Sequence, residues 1–188
     1  MNHRRAGFTL IEVLLVLSII AALMVIVFGE YQRFVQRAVA TRVAMDMKTL
    51  RTAVYSYWVD NYDFPKAGMD VYDPGTDDDY GFRWGVEDDG SPGWNGPYLR
   101  KSPLQGPYGV VYRYWKSYVS GTFRDGAGGT IEVDNVKVAA VTISNFKSQQ
   151  LRDLVDEHLR KLGLGISYVG YGGMTDKYYI TLVLWYEE

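Results

Sequence analysis

From Phe8 to Phe28 the chain is apolar at almost every position, and only Thr9, Glu12 and Ser18 break the run. As a helix rising ~1.5 Å per residue, this stretch measures roughly 31 Å, about the thickness of a bilayer hydrocarbon core. After Gly29 the chain turns polar but keeps a helical period. Val35, Val39, Val43, Met47, Leu50, Val54 and Tyr57 recur at steps of four and three, which draws one apolar stripe along a helix. Arg33, Arg37, Arg42, Lys48 and Arg51 lie mostly off that stripe. No proline occurs between Phe8 and Asn61, so the pattern predicts one helix of roughly 80 Å. Its first half is apolar all round and needs lipid or other helices. Its second half is amphipathic and needs its own domain.

The helix is expected to stop at Asp60-Asn61-Tyr62-Asp63-Phe64-Pro65, because Asn and Asp favour turns and the residue before proline avoids the helical region. From Lys66 to Gly96 the chain reads as loop, rich in glycine and acids. Strand patterns follow. Val110 to Val119 is Tyr- and Val-rich and is expected to end at Ser120-Gly121. Gly126 to Gly129 marks a turn, and Thr130 to Val133, Val136 to Ile143, Ile166 to Val169 and Tyr178 to Tyr186 read as further strands. Between them Phe146, Leu151, Leu154, Val155, His158, Leu159 and Leu162 form a helical stripe, which Ser144 is expected to cap and Gly163 to close. The fold class is therefore α+β. The expected division is a short basic leader at 1–7, an apolar helix covered by a membrane or by other helices at 8–29, the amphipathic half of that helix at 30–62, and a head at 63–188. Within the head, 63–107 is loop-rich and 108–188 carries strands with a helix at about 145–162.

Glu12 is the anomaly. A carboxylate in an apolar helix costs ~2.5–3.5 kcal/mol at mid-membrane unless it is paired or reaches water. Arg4 and Arg5 precede the apolar run and hold its start on the cytoplasmic side, which puts the bulk of the chain across the membrane. An ordinary secretory signal fits less well, because the run is too long and Val27-Phe28-Gly29-Glu30 offers no small-residue cleavage site.

Gly7-Phe8-Thr9-Leu10-Ile11-Glu12 behind a basic leader resembles the processing motif of type IV pilins and of the pseudopilins of type II secretion. The resemblance implies cleavage after Gly7 by a prepilin peptidase, methylation of the new N-terminal Phe8, and pairing of Glu12 with the N-terminus of an adjacent subunit during assembly. It also implies a type IV pilin-like fold, in which the long helix packs on an antiparallel β-sheet head. One extra helix would enlarge that head here. The implied partners are copies of the chain itself, minor pilins or pseudopilins, the peptidase, and an inner-membrane assembly platform. The implied location is a single-pass inner-membrane protein with a periplasmic head, then a pilus or pseudopilus. Gly29 stands where many members of the family carry a helix-kinking proline. Tyr57, Asp60, Asn61, Phe64 and Pro65 are similar to the helix-end pattern of many pseudopilins. Trp94-Asn95-Gly96-Pro97-Tyr98-Leu99, leading to Gly106-Pro107-Tyr108-Gly109, resembles a segment of major pseudopilins, except that Gly106 replaces an Asp common there.

Composition narrows the remaining chemistry. Formal net charge is −2 over 188 residues, and removal of Arg4 and Arg5 makes the chain more acidic, so a general nucleic-acid binder is not expected. There are no cysteines, which excludes a disulfide-stapled head. Asp73, Asp77 and Asp79 in the acidic loop are candidate Ca²⁺ ligands, although their spacing does not match an EF-hand, and a solvated loop explains them as well. No other cofactor is expected. An enzyme is not expected either. Past the leader the one histidine is His158, no second His or Cys completes a zinc site, and no phosphate-binding loop is present. The alternative reading is a membrane-anchored monomeric periplasmic binding protein or enzyme.

Overall fold

The computed structural model describes residues 9–66, 81–101, 105–124, 129–163, 167–168 and 180–186. Helix α1 runs Leu10–Asn61. A short helix, α2, occupies Arg83–Val86 inside the stretch expected to be all loop. A single 3₁₀ turn at Pro107–Gly109 leads into β1 (Val111–Arg124), β2 (Thr130–Ser144), α3 (Gln149–Lys161), β3 (Ser167–Tyr168) and β4 (Ile180–Tyr186). The chain forms two compact units, residues 1–38 and 39–188.

In the first unit α1 is helical from Leu10 onward and passes through Gly29 without a break. The large apolar side chains from Leu10 to Phe28 are all at least 45% exposed. A helix that apolar and that bare is unstable in water by itself. It is long and apolar enough to cross a membrane.

In the second unit the expected stripe is the buried face of α1. Val39, Val43, Met47, Leu50, Val54 and Tyr57 are buried, and Ala40, Ala44 and Ala53 fill the spaces between them. Each buried Leu, Met or Val contributes ~1.5–3 kcal/mol. That is how an amphipathic helix with modest intrinsic stability is held.

The sheet is antiparallel, with β2 between β1 and β4 and the two-residue β3 closing it into a small barrel against β4 and the end of β1. Register sorts the side chains. Tyr112 faces Ile143 and Tyr114 faces Val141, while Ile143 pairs with Ile180 and Val141 with Leu182; all six are buried. The alternate positions carry a second cluster, in which Phe123, Val138, Ala140 and Val183 are buried beside Trp115, Val119, Val133 and Val136.

Two departures from the expected strands share one cause. The first strand does not end at Ser120-Gly121 but continues to Arg124, and the second does not divide between Val133 and Val136. Gly121 at φ 141° and Asn135 at φ 51° let both strands bend at a bulge instead of stopping. The Ser120 hydroxyl stitches that bend, donating to Asp134 Oδ1 at 2.8 Å and accepting from the Asn135 N–H at 2.8 Å.

The start of α3 is also corrected. Ser144 is the last residue of β2, and the cap is Ser148, whose hydroxyl accepts from the Leu151 N–H at 3.2 Å. Asn145 at φ 63° and buried Phe146 form the intervening corner, so helix cannot begin at Ser144. Gly163, at φ 65°, closes α3 as expected, and Leu151, Val155 and Leu159 form its buried face. The candidate metal ligands Asp73, Asp77 and Asp79 lie outside the described residues. Among the described residues no cluster of three or more His, Cys, Asp or Glu could hold a metal ion.

Candidate functional site

Gly7 and Phe8, the expected cleavage and methylation residues, lie outside the described residues. Glu12 is described, and its surroundings are specific. Thr9 sits just before the first helical residue of α1, and Glu12 is three residues on. The Thr9 N–H and the Thr9 hydroxyl both donate to Glu12 Oε2 at 2.8 Å, and the Glu12 N–H reaches Thr9 Oγ1 at 3.3 Å. This is a capping box, in which two residues satisfy each other's free backbone groups at a helix N-terminus. The carboxylate is therefore folded back over the start of the helix rather than extended sideways among apolar side chains. The helix dipole also favours a negative charge there. The Thr-Leu-Ile-Glu spacing carries the signal for the box, so it could have been found from sequence; Thr9 had no role in the expectation.

A second constellation lies at the other end of α1. The five residues singled out at the helix end each hold a different part of the head. The Tyr57 hydroxyl donates to Asp89 Oδ2 at 2.7 Å and lies 2.6 Å from Ser91 Oγ. Asp60 accepts from the Tyr98 hydroxyl at 2.8 Å, and Asn61 Oδ1 accepts from the Gly93 N–H at 3.1 Å. The Phe64 carbonyl accepts from Lys116 Nζ at 2.9 Å, and the Pro65 carbonyl from the Tyr114 hydroxyl at 3.3 Å. The sequence segment around Gly96-Pro97-Tyr98 is thereby docked on the end of α1. Rings of Tyr57, Trp84, Tyr98 and Tyr114 pack among these bonds.

Electrostatics there follow burial and partners. Burial pushes the Tyr57 hydroxyl well above the ordinary tyrosine range, so it stays a proton donor to Asp89. Burial also pushes the Asp63 carboxyl up, but the Lys137 hydrogen bond, the Phe64 N–H and the charges of Lys116 and Lys137 together hold it below the usual carboxylate range. Lys137 Nζ approaches Asp63 Oδ1 to 2.5 Å, and Lys116 Nζ approaches Oδ2 to 3.7 Å.

Gly106, the departure noted in the turn before β1, has a local reason. A Cβ there would stand 2.3 Å from the Tyr112 hydroxyl, which itself donates to Asp46 Oδ2 of α1 at 3.1 Å. Asp46 is also paired with Arg42 at 3.0 Å. A carboxylate on α1 thus anchors the turn through a tyrosine, in space that a side chain at 106 would fill. His158 is partly buried on α3, with Nδ1 2.9 Å from the Leu154 carbonyl. The Thr9–Glu12 box thus caps the start of α1, and the second constellation fastens its C-terminal end to the head.

Comparison with known proteins agrees with this emphasis. Residues 2–28 match the model of the prokaryotic N-terminal methylation motif. The chain is 33% identical over 72 residues to the type IV major fimbrial protein FimA of Dichelobacter nodosus, covering 38% of this chain and 44% of that protein. It is 50% identical over 48 residues to a probable minor fimbrial protein of the same organism, covering 26% of this chain and 30% of that one. The chain spans less than half the length of either relative. No solved structure matches it. The methylation motif at the head of an exposed apolar helix, the stretches similar to fimbrial proteins and the α+β head with one added helix support a type IV pilin-like protein.

Proposed function

We propose that the chain is a structural subunit that polymerises into a type IV pilus or a type II secretion pseudopilus after cleavage following Gly7 and methylation of Phe8. The observation that carries this reading is Glu12, a carboxylate at the start of an exposed apolar helix with Thr9 as its hydrogen-bond partner. In the membrane-held precursor the capping box satisfies the carboxylate within one chain. Cleavage after Gly7 frees the amine of Phe8. In the filament, that amine on a neighbouring subunit becomes the partner of Glu12. An ion pair in apolar surroundings is far stronger than one in water, so it can fix the axial register between subunits. The exposed helix of residues 10–28 then exchanges lipid for neighbouring helices. The head serves as coat, not catalyst.

On this reading the partners are copies of this chain, minor subunits, the prepilin peptidase and the inner-membrane assembly platform. The subunit waits as a single-pass inner-membrane protein with its head in the periplasm. The test is Glu12→Ala. It is expected to leave expression, membrane insertion and the thermal midpoint of the head unchanged while abolishing filaments in electron micrographs of sheared cells. Normal filaments from Glu12→Ala would refute the assigned role.

A further inference from the structure

A main-chain nitrogen can attack the side-chain carbonyl carbon of the residue before it, and glycine obstructs that approach least, because it carries no Cβ. Of the asparagines in the sequence, Asn95 alone precedes a glycine; Asn2, Asn61, Asn135 and Asn145 precede His3, Tyr62, Val136 and Phe146. Asn95 is exposed, and residues 94–98 belong to no helix or strand, so no hydrogen-bond ladder holds its backbone. Among the described residues, neither the Asn95 side-chain amide nor the Gly96 N–H makes a hydrogen bond. Asp89-Gly90 is the matching acidic dipeptide, and there the groups are engaged. The Gly90 N–H donates to Asp88 Oδ1 at 2.8 Å, Asp89 Oδ1 accepts from the Ser91 N–H at 2.9 Å, and Asp89 Oδ2 accepts from the Tyr57 hydroxyl at 2.7 Å. Asn61 and Asn145 are held as well, donating to the Tyr57 and Gly109 carbonyls at 3.1 and 2.6 Å.

We propose that Asn95-Gly96 is a self-modifying site, which converts to aspartate and isoaspartate without an enzyme and thereby loosens the segment docked on the end of α1. Gly96 N forms a bond to Asn95 Cγ as the Cγ–Nδ2 bond breaks. Ammonia leaves with the Gly96 amide proton, and a cyclic imide remains. Water then opens the ring. Attack at Cγ releases Gly96 N from the side chain and gives aspartate. Attack at the main-chain carbonyl carbon leaves Gly96 N on Cγ and gives isoaspartate, whose main chain runs through Cβ and is one carbon longer. In both cases one amide and one water become one carboxylic acid and one ammonia. The extra carbon falls between two anchors. Trp94 Nε1 donates to the Trp84 carbonyl at 2.9 Å, and the Tyr98 hydroxyl donates to Asp60 Oδ2 at 2.8 Å while accepting from the Asn95 N–H at 3.0 Å. The Trp94 and Tyr98 rings pack edge to face with centroids 5.9 Å apart. Little slack exists there, since even a Cβ at position 96 would stand 2.6 Å from the Trp94 ring. Conversion also adds a negative charge to a segment that already bonds to Asp60. The reaction needs no polymer, so it stands apart from the filament reading.

The test keeps the full chain, in detergent micelles, in mildly alkaline buffer made with heavy-oxygen water, followed by digestion and peptide mass spectrometry. The expected result is one heavy oxygen at residue 95, in two chromatographically separate forms, and none at Asn61, Asn135 or Asn145. The rate is expected to lie within about tenfold of that of the same chain unfolded in denaturant, a barrier difference below ~1.4 kcal/mol. Asn95→Gln is expected to take up no label, because glutamine must close a larger and slower ring. As isoaspartate accumulates in the unaltered chain, the thermal midpoint is expected to fall by about 3 °C or more, the size set by loss of the Tyr98–Asp60 hydrogen bond. Asn95→Gln stored in the same way keeps its midpoint. No label at residue 95, label spread evenly over the asparagines, or a folded-state rate more than about tenfold below the unfolded one overturns the proposal. Label at residue 95 with an unmoved midpoint overturns the loosening of the docked segment.

Discussion

Gly106→Ala is the sharpest structural perturbation available in the head. The glycine has φ −78°, an ordinary value for any residue, so space and not backbone conformation bars a side chain. The new Cβ would stand 2.3 Å from Tyr112 Oη and 2.6 Å from Tyr112 Cζ, well inside contact distance. Tyr112 is fully buried and cannot swing into solvent. The collision is therefore relieved by displacing the ring from Asp46 or by shifting the turn that the Gly106 N–H closes onto the Val110 carbonyl at 2.8 Å. Overpacking costs ~1–3 kcal/mol, and loss of a hydrogen bond to a charged group ~1.5–3 kcal/mol. Relaxation keeps the two from adding fully, so about 2–4 kcal/mol is expected. For a chain of this size each kcal/mol lowers the midpoint by roughly 2–4 °C. Thermal unfolding of the full chain in detergent micelles, followed by near-ultraviolet circular dichroism, reads this directly. Tyr112→Phe removes both the hydrogen bond and the atom closest to the new Cβ. Gly106→Ala should therefore cost less in the Tyr112→Phe background than alone. A midpoint within about 1 °C of the unaltered chain, or strict additivity of the two changes, would refute this account of the turn.

Two other outcomes follow from the packing and the charges. Leu50→Ala, on the buried face of α1, is expected to cost ~2–5 kcal/mol, whereas Met45→Ala on the exposed face stays within about 0.5 kcal/mol; similar costs would contradict the two-faced helix. Asp63 titrates below its ordinary value in the folded chain, so its stabilisation is present above the unfolded value near ~3.9 and is lost as pH falls through the folded one. Asp63→Asn should flatten the fall of the thermal midpoint below about pH 4; the effect is small because the side chain is half exposed and screened. An unchanged acid slope would show that the Lys116 and Lys137 contacts contribute nothing.

Much of this architecture was legible because its signals are local. An apolar run of bilayer length and a three-four stripe define α1 and its buried face without reference to the rest of the chain. Gly163 closes α3 because glycine takes φ 65° at no cost. The misread points depend on what a residue meets across the fold. Ser144 and Ser148 are equally good caps by type, and the choice is made by β2, which extends its pairing with β1 to Val111↔Ser144. Gly121 reads as a strand end, yet β1 continues past it because the bent hairpin buries Phe123 against Val138, Ala140 and Val183. The Thr9–Glu12 box is legible in the Thr-Leu-Ile-Glu spacing, because a hydroxyl three residues before a carboxylate completes it without a charged partner.

The central claim is that processing at Gly7 creates the amine that Glu12 needs in the assembled fibre. Intact-mass measurement of the chain recovered from sheared, purified filaments tests it most directly. The account predicts a single species lacking residues 1–7 and carrying one added methyl group. A filament built from chains that retain Arg4 and Arg5 would contradict it.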